Sequence, residues 1–181
     1  PYLYRNYLNF DTFTITKSLG FNLLKGNNPT RTIEGNSDFI VDNFSSTNIK
    51  LKTDKYYEIN LDNFYKRKAI DFMKSDPTSY INFYFKKVFS YIFLDLNSTY
   101  DNYYNPLHLI PKIFISTIGF VSAIMCLRRK GFLQYLSLYY FANIFLFSLF
   151  FILPRYSLIL LPINLLLSLE LISFLKRKFI N

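Results

Sequence analysis

The feature that most constrains this chain is a run of 22 residues, 132–153, that contains no charged side chain. As an α-helix with a rise of about 1.5 Å per residue it would cover roughly 33 Å, enough for the apolar core of a bilayer. A break at 154–157 separates it from residues 158–175, a second apolar run with a single charge. Pro154 cannot continue the first helix, because its ring removes a backbone donor. We therefore predict two membrane spans joined by a tight turn that places Arg155 at a membrane surface.

A third apolar segment, residues 107–127, precedes this pair, and the surrounding charges indicate an orientation. Residues 1–106 carry 13 Lys and Arg against 11 Asp and Glu, whereas residues 107–181 carry 8 against 1. Most of that excess lies in two clusters, 128–130 and 176–178, which each adjoin an apolar run. Such clusters are typical of cytoplasmic membrane flanks and argue against a nucleic-acid partner. We expect a multi-pass protein of the inner (plasma) membrane with residues 1–106 extracytoplasmic and the C-terminus cytoplasmic.

The first 106 residues predict a small α+β lobe. Phe13 and Ile15 alternate with threonines, which is the period of a half-buried strand. Further strand candidates, separated by polar turns, are residues 38–44, 48–53 and 56–61. Asn63 is suited to cap a helix that runs from Phe64 to about Ser75. The predicted fold class is thus a membrane α-helical protein, with three C-terminal transmembrane helices preceded by a small α+β extracytoplasmic lobe.

A second helix is predicted to follow at the end of the lobe. Asp76 is a favourable cap, and Pro77 is favoured at the first helical position. Apolar residues at helical spacing continue to about Leu94, and seven aromatic residues lie between Tyr80 and Phe93. The helix is either a core element of the lobe or an interfacial helix with its rings at headgroup depth. We favour the interfacial helix.

Four short motifs occur in order along the chain. The first two are Pro1, Tyr2, Arg5 and Asn6, then Gly20, Asn22, Leu23, Gly26, Asn27, Asn28 and Pro29. The last two are Asp76 and Pro77 followed by Lys86 and Lys87, then Arg155, Tyr156 and Pro162. In this order they resemble the extracytoplasmic region of bacterial membrane glycosyltransferases of the dolichyl-phosphate-mannose protein mannosyltransferase type (PMT-like, GT-C). That family usually has Trp where Tyr2 stands.

The resemblance implies an activity and its partners. These enzymes move a sugar, a hexose or a pentose, from a polyprenyl-phosphate carrier to a lipid, glycan or protein acceptor. An Asp acts as the base, and cations stabilise the leaving phosphate. The catalytic carboxylate of the family lies in its first extracytoplasmic loop, so we expect this chain to be a C-terminal fragment without catalytic residues. The expected partners are the polyprenyl-phosphate-linked sugar donor and membrane lipid.

The predicted substrate-binding residues form two groups. Arg155 is either an interfacial anchor for lipid headgroups or a bidentate ligand of the carrier phosphate, and the resemblance implies the second role for it, with Tyr156 beside it. The other group, carried over from the resemblance, is Arg5, Gly26, Asn27, Asn28, Lys86 and Lys87. Residues 26–29 also form a predicted turn, because Gly adopts positive φ readily. We expect this turn to help shape the acceptor or sugar pocket.

The remaining polar groups indicate no other chemistry. Cys126 and His108 each stand alone, so we expect neither a disulfide nor a metal site from these residues. No cofactor is evident, and a divalent metal is left open. Glu170 is predicted to pair with a Lys or Arg near the inner headgroups rather than to relay protons. The alternative function is a non-catalytic polytopic transport or assembly protein whose outer lobe binds a partner.

Overall fold

The computed structural model describes residues 1–11, 13, 18–44 and 51–179, with side chains up to residue 176. Its α-helices are α1 (Tyr2–Phe10), α2 (Leu19–Gly26), α3 (Asp38–Asn43), α4 (Tyr57–Ser75), α5 (Pro77–Ile92), α6 (Pro106–Cys126), α7 (Phe132–Phe147) and α8 (Leu161–Phe179). A 3-10 helix, Pro154–Ile159, joins α7 to α8. No strand occurs in the described ranges, so the predicted α+β lobe is wrong and the lobe is helical.

Two of the predicted strands belong to helices. Residues 38–43 form α3, and residues 57–61 open α4, which continues without interruption to Ser75. Asn63 therefore lies inside α4 and does not cap it. The physical reason is that a helix, once nucleated, gains one hydrogen bond for each added residue, which outweighs a short alternating pattern at its start. Of the strand candidate at 12–16 only Phe13 is described, and of the candidate at 48–53 only residues 51–53 are described, which form no strand.

Helices α2 and α4 pack closely to build the core of the lobe. A Cβ placed on Gly20 would lie 1.9 Å from the backbone oxygen of Asp62, so the two backbones touch at this point. The side chain of Asp62 also accepts the backbone N–H groups of Gly20 at 2.7 Å and Phe21 at 3.2 Å. It thereby satisfies donors that the first turn of a helix leaves free. The buried apolar residues of this core are Leu24, Ile40 and Ala69.

The start of α5 is confirmed. Asp76 caps it by accepting the backbone N–H of Ser79 at 3.1 Å, and Pro77 occupies the first helical position. The helix ends at Ile92, two residues before the predicted end. Its face with Lys87 is buried, whereas Phe85 on another face is exposed. This helix supplies one wall of the cavities described below.

Among the described residues, α6 is the one helix long and apolar enough to cross a membrane, by length and composition. It matches the predicted span 107–127 to within one residue. The prediction of three spans is wrong. Helix α7 has 16 residues, and at about 1.5 Å per residue it reaches about 24 Å, short of a bilayer core of about 30 Å. It ends early because residues 148–153 leave the helix and contact the lobe, where Ile152 N–H donates to Ile33 O at 2.8 Å.

Helix α8 begins at Leu161, three residues after the predicted start, because the 3-10 helix occupies the chain up to Ile159. It packs along α6 through small side chains. A Cβ on Gly119 of α6 would lie 2.2 Å from Oδ1 of Asn164 on α8, so glycine permits this approach. At the far end of the pair, Glu170 forms an ion pair with Arg129. The predicted pairing of Glu170 with a basic residue is confirmed.

Candidate functional site

A polar cavity of about 620 Å³ lies between the loop after α2, helix α5 and the segment after α5. Its ionisable wall residues are Arg31, Glu34, Asp38, Lys86 and Asp95. Its uncharged polar side chains include Thr32, Asn36, Ser79, Asn82, Asn97 and Thr99. Amides donate and accept, carboxylates accept, and the cations donate, so the wall can pair with many polar groups at once. A ligand rich in hydroxyl groups suits this wall.

An apolar groove of about 470 Å³ adjoins the polar cavity. Its apolar wall residues are Ile33, Phe85, Phe89, Leu94 and Leu96. The two cavities share Ile33, Asn82, Lys86 and Asn97. Lys86 is the one cation at the boundary among the described residues. The combined site is amphipathic, with a polar chamber, an apolar groove and a positive charge where they meet.

Local hydrogen bonds shape the cavity wall at residues 31–36. Asn28 Nδ2 donates to Lys25 O at 3.0 Å, and Asn28 Oδ1 accepts Thr30 N–H at 2.9 Å. Gly35 adopts φ +77°, where side chains are strained, and a Cβ there would lie 2.8 Å from Cβ of Phe151. The wall thus depends on a side-chain amide and on one glycine in the left-handed region.

Lys87 stabilises the base of this wall through hydrogen bonds. Its buried Nζ donates to Asn27 Oδ1 at 2.8 Å, to Phe150 O at 2.8 Å and to Gly26 O at 3.3 Å. The same nitrogen lies 4.9 Å from the ring centroid of Phe83. Burial lowers the pKa of the Lys87 amine to about 7, because the charged form is disfavoured away from water. Lys87 joins α5, the end of α2 and the chain after α7.

The structure places the predicted binding residues 26–28 next to Lys87, at the base of the cavity wall. None of Gly26, Asn27, Asn28 and Lys87 is part of the polar cavity wall. Gly26 is the last residue of α2 and has no positive φ, so the expected reason for glycine is wrong here. Its real constraint is space, because a Cβ would lie 2.5 Å from the backbone of Phe150. These residues stabilise the cavity wall without lining the cavity themselves.

Asp95, which sequence reasoning missed, is the most buried ionisable residue of the wall, with 4% of its surface exposed. Its Oδ1 accepts Asn97 N–H at 2.9 Å, and its own N–H donates to the Tyr103 hydroxyl at 2.7 Å. Burial, with a further contribution from the nearby Glu34 charge, raises the pKa of the Asp95 carboxyl, and the Asn97 bond and the Lys112 charge oppose the shift. A carboxylate held this way is a strong acceptor facing the cavity.

Sequence reasoning also missed Arg31 and Glu34. Arg31 forms an ion pair of 2.8 Å with Asp76, the cap of α5. Glu34 accepts hydrogen bonds from the hydroxyls of Ser98 and Thr99. The only signal in the sequence is that residues 31–38 and 95–99 are both polar segments next to helices. Nothing in their spacing indicates that the two segments meet.

The other predicted binding residues lie elsewhere. Arg155 is exposed on the 3-10 helix, and Tyr156 packs against Phe147 and Phe151, with ring centroids 6.0 Å apart in each case. Arg5 is exposed on α1. These three residues are absent from the walls of both cavities. The structure therefore brings Lys86 to a cavity but does not bring Arg155, Tyr156 or Arg5 to the same place.

The described part of the chain contains no group of three or more His, Cys, Asp and Glu side chains placed to hold a metal ion. Cys126 is buried in the apolar cluster where α6, α7 and α8 meet.

Comparisons with known protein families, with curated proteins and with solved structures gave no match.

Proposed function

We propose that this chain binds the carrier in a membrane glycosyltransferase that moves a sugar from a polyprenyl-phosphate to a lipid, glycan or protein acceptor. One observation carries the proposal: the polar cavity and the apolar groove meet at Lys86. A prenyl-phosphate sugar has the same order of parts, with a polar sugar, a negative phosphate and an apolar chain. The motifs described above support the same assignment.

Each part of the donor has a matching surface. The sugar hydroxyls fit the amide and carboxylate groups of the polar cavity, and the first prenyl units fit the groove lined by Phe85 and Phe89. The ammonium of Lys86 would donate charge-assisted hydrogen bonds to the phosphate between them. Arg31 lies in the same wall, although Asp76 already holds it at 2.8 Å. Lys86 is therefore the main phosphate ligand in this proposal.

A cation at the phosphate serves the chemistry as well as binding. Sugar transfer breaks the bond between the sugar and the phosphate oxygen, and negative charge develops on that oxygen. A lysine already in position stabilises this charge without reorganisation. We assign no catalytic base to these residues, and transfer requires one from elsewhere in the enzyme. The proposed reaction class is transfer of a hexosyl or pentosyl group.

For the location we propose the inner membrane. Helix α6 supplies one candidate span, and Arg128, Arg129 and Lys130 follow its end. A basic cluster at one end of a span favours the cytoplasmic side.

The test is the binding of farnesyl phosphate to the detergent-solubilised protein. Lys86→Met should weaken binding about 10-fold or more, because a hydrogen bond to a charged group contributes about 1.5 to 3 kcal/mol. Lys66→Met is the matched control, since Lys66 is an exposed lysine of α4 outside both cavities. It should bind like the parent.

Equal affinity in the parent and Lys86→Met would contradict the proposal. Binding that depends on Lys86, without any sugar transfer in membranes where the remaining part of the enzyme is also present, would instead favour the transport or assembly alternative. Farnesol, which lacks the phosphate, should bind the parent more weakly than farnesyl phosphate does. It should bind the parent and Lys86→Met with equal affinity.

A further inference from the structure

Two fully buried tyrosines carry hydroxyl groups that no protein group satisfies. Among the described residues, the buried side-chain atoms without a hydrogen-bond partner are the hydroxyls of Tyr91, Tyr140 and Ser148 and Oδ1 of Asn164. Tyr91 and Tyr140 are the largest of these side chains, and each has 0% of its surface exposed. A buried hydroxyl loses its hydrogen bonds to water, so buried tyrosines usually have a partner for this group. The two tyrosines therefore need one.

Tyr91 and Tyr140 lie where the lobe meets the bundle formed by α6, α7 and α8. Tyr91 is near the end of α5, and its ring stacks on that of Phe147 in α7, with centroids 5.8 Å apart. Tyr140 is on α7, two turns before Phe147, and both tyrosines belong to the same apolar cluster. They are also close enough to interact electrostatically. The two unpaired hydroxyls thus occupy one region between α5 and α7.

Other polar side chains of α5 bond directly to the chain of α7 and the segment after it. Tyr84, seven residues before Tyr91 and on the same side of α5, donates its hydroxyl to Phe145 O at 2.9 Å. Lys87, one turn before Tyr91, donates to Phe150 O at 2.8 Å. Tyr91 continues this side of the helix, but its hydroxyl reaches no acceptor in the described part of the chain. A partner from outside the chain is therefore required there.

We propose that one buried water molecule bridges the hydroxyls of Tyr91 and Tyr140. A water has two donors and two acceptors, so it can pair with both hydroxyls at once, and buried waters in proteins commonly satisfy such groups. A water-mediated bond is nearly as favourable as a direct one. The water would join α5 to α7 one turn beyond the direct bonds of Lys87. This inference goes beyond the proposed function and does not depend on it.

Phenylalanine is the matched replacement, because it removes the hydroxyl and keeps the ring. If a water bridges the pair, Tyr91→Phe and Tyr140→Phe should each raise the equilibrium constant of unfolding about fivefold, as expected for one lost hydrogen bond. The measurement is denaturant unfolding of the detergent-solubilised protein. Unpaired hydroxyls predict the opposite sign, because phenylalanine then removes a buried polar group that has no partner. Unchanged or greater stability in either variant overturns the proposal.

The double variant tests whether one water serves both hydroxyls. A shared water predicts an increase of about tenfold for Tyr91→Phe with Tyr140→Phe, less than the product of about 25-fold for two independent bonds. Tyr84→Phe with Tyr140→Phe is the matched control, since Tyr84 has its own acceptor, and its two effects should multiply. Effects at Tyr91 and Tyr140 that multiply in full would overturn the common water. Helical circular dichroism checks that every variant folds.

A direct bond between the two hydroxyls would also couple the substitutions, so a density map of the parent with resolved waters separates the two cases. A bridging water gives a peak about 2.8 Å from both oxygens. Two hydroxyls in direct contact, with no such peak, would overturn the proposal, and the map decides alone if a variant fails to fold. None of these results bears on the binding of farnesyl phosphate by Lys86, so the two proposals fail separately.

Discussion

Replacing Lys87 by Met should change how the stability of the protein depends on pH. The parent holds a buried amine among three oxygen acceptors, at 2.8, 2.8 and 3.3 Å. Met has a similar length and no titratable group. The substitution leaves Asn27 Oδ1 and Phe150 O without this donor, which costs about 1 to 3 kcal/mol for each at every pH. The pH-dependent part of the difference belongs to the amine alone.

The sign follows from the two pKa values of Lys87. Burial lowers the pKa from its ordinary 10.5 to about 7 in the folded protein. Between these values the unfolded chain binds one more proton than the folded chain, so the free energy of unfolding rises with pH. The slope approaches about 1.4 kcal/mol per pH unit, and the whole window amounts to about 5 kcal/mol. The slope falls to half at pH 7 and vanishes about one pH unit lower, where the cost of burying the charge is fully present.

The assay is denaturant unfolding of the detergent-solubilised protein at about pH 6, 7, 8 and 9. The stability of the parent minus that of Lys87→Met should rise by less than about 0.5 kcal/mol between pH 6 and pH 7, and then by about 1 kcal/mol per pH unit. Taking this difference removes the contributions of other groups that titrate equally in both proteins. Lys86→Met is the matched control, because it makes the same change one residue away in the cavity wall.

A difference that stays flat up to pH 9, or falls, would refute the reasoning. It would mean that the three oxygens hold the ammonium strongly enough to outweigh the loss of water. An ammonium has three N–H donors for those three acceptors, whereas the neutral amine has two. In that outcome Lys87 is a permanent charge at the base of the cavity wall.

Two further predictions concern packing and carrier binding. Gly20→Ala should destabilise the lobe by about 3 kcal/mol, measured by denaturant unfolding, because its Cβ would lie 1.9 Å from the backbone oxygen of Asp62 and neither backbone can yield. A loss below about 0.5 kcal/mol would show that α2 and α4 separate easily. Arg155→Met should bind farnesyl phosphate within about threefold of the parent, since Arg155 is exposed outside both cavities. A loss as large as that of Lys86→Met would restore the hypothesis that Arg155 holds the phosphate.

Helices α5 and α6 were predictable from the sequence because their signals are local. Asp76 and Pro77 mark the start of α5 with two adjacent residues, and the apolar content of α6 identifies it without reference to any other segment. The opening of α4 was not predictable in the same way. The alternation at residues 56–61 is as compatible with a strand as with a helix face, and the continuing helix decides between them.

The cavity depends on contacts that no local pattern encodes. Lys86 and Lys87 are adjacent and identical in type, yet one lines a cavity and the other is buried against Phe150, 63 residues away. Helix α7 is shorter than its apolar run for a related reason, because the segment after Phe147 packs on the lobe instead of continuing the helix. The sequence shows where an apolar run lies, and tertiary contacts determine which of its residues are helical.

The contacts between residues 149–152 and the lobe set an order of assembly during synthesis. Asn27 Nδ2 donates to Leu149 O at 2.7 Å across 122 residues of sequence, and Lys87 reaches Phe150 across 63. Contacts between such distant residues form slowly, because the closure of long loops costs entropy first. The cavity wall at residues 31–36 therefore has to wait for α7 to emerge from the ribosome, and until then Lys87 is free to stay hydrated and charged. The ligand site is complete only after residues 149–152, which follow α7, have been made.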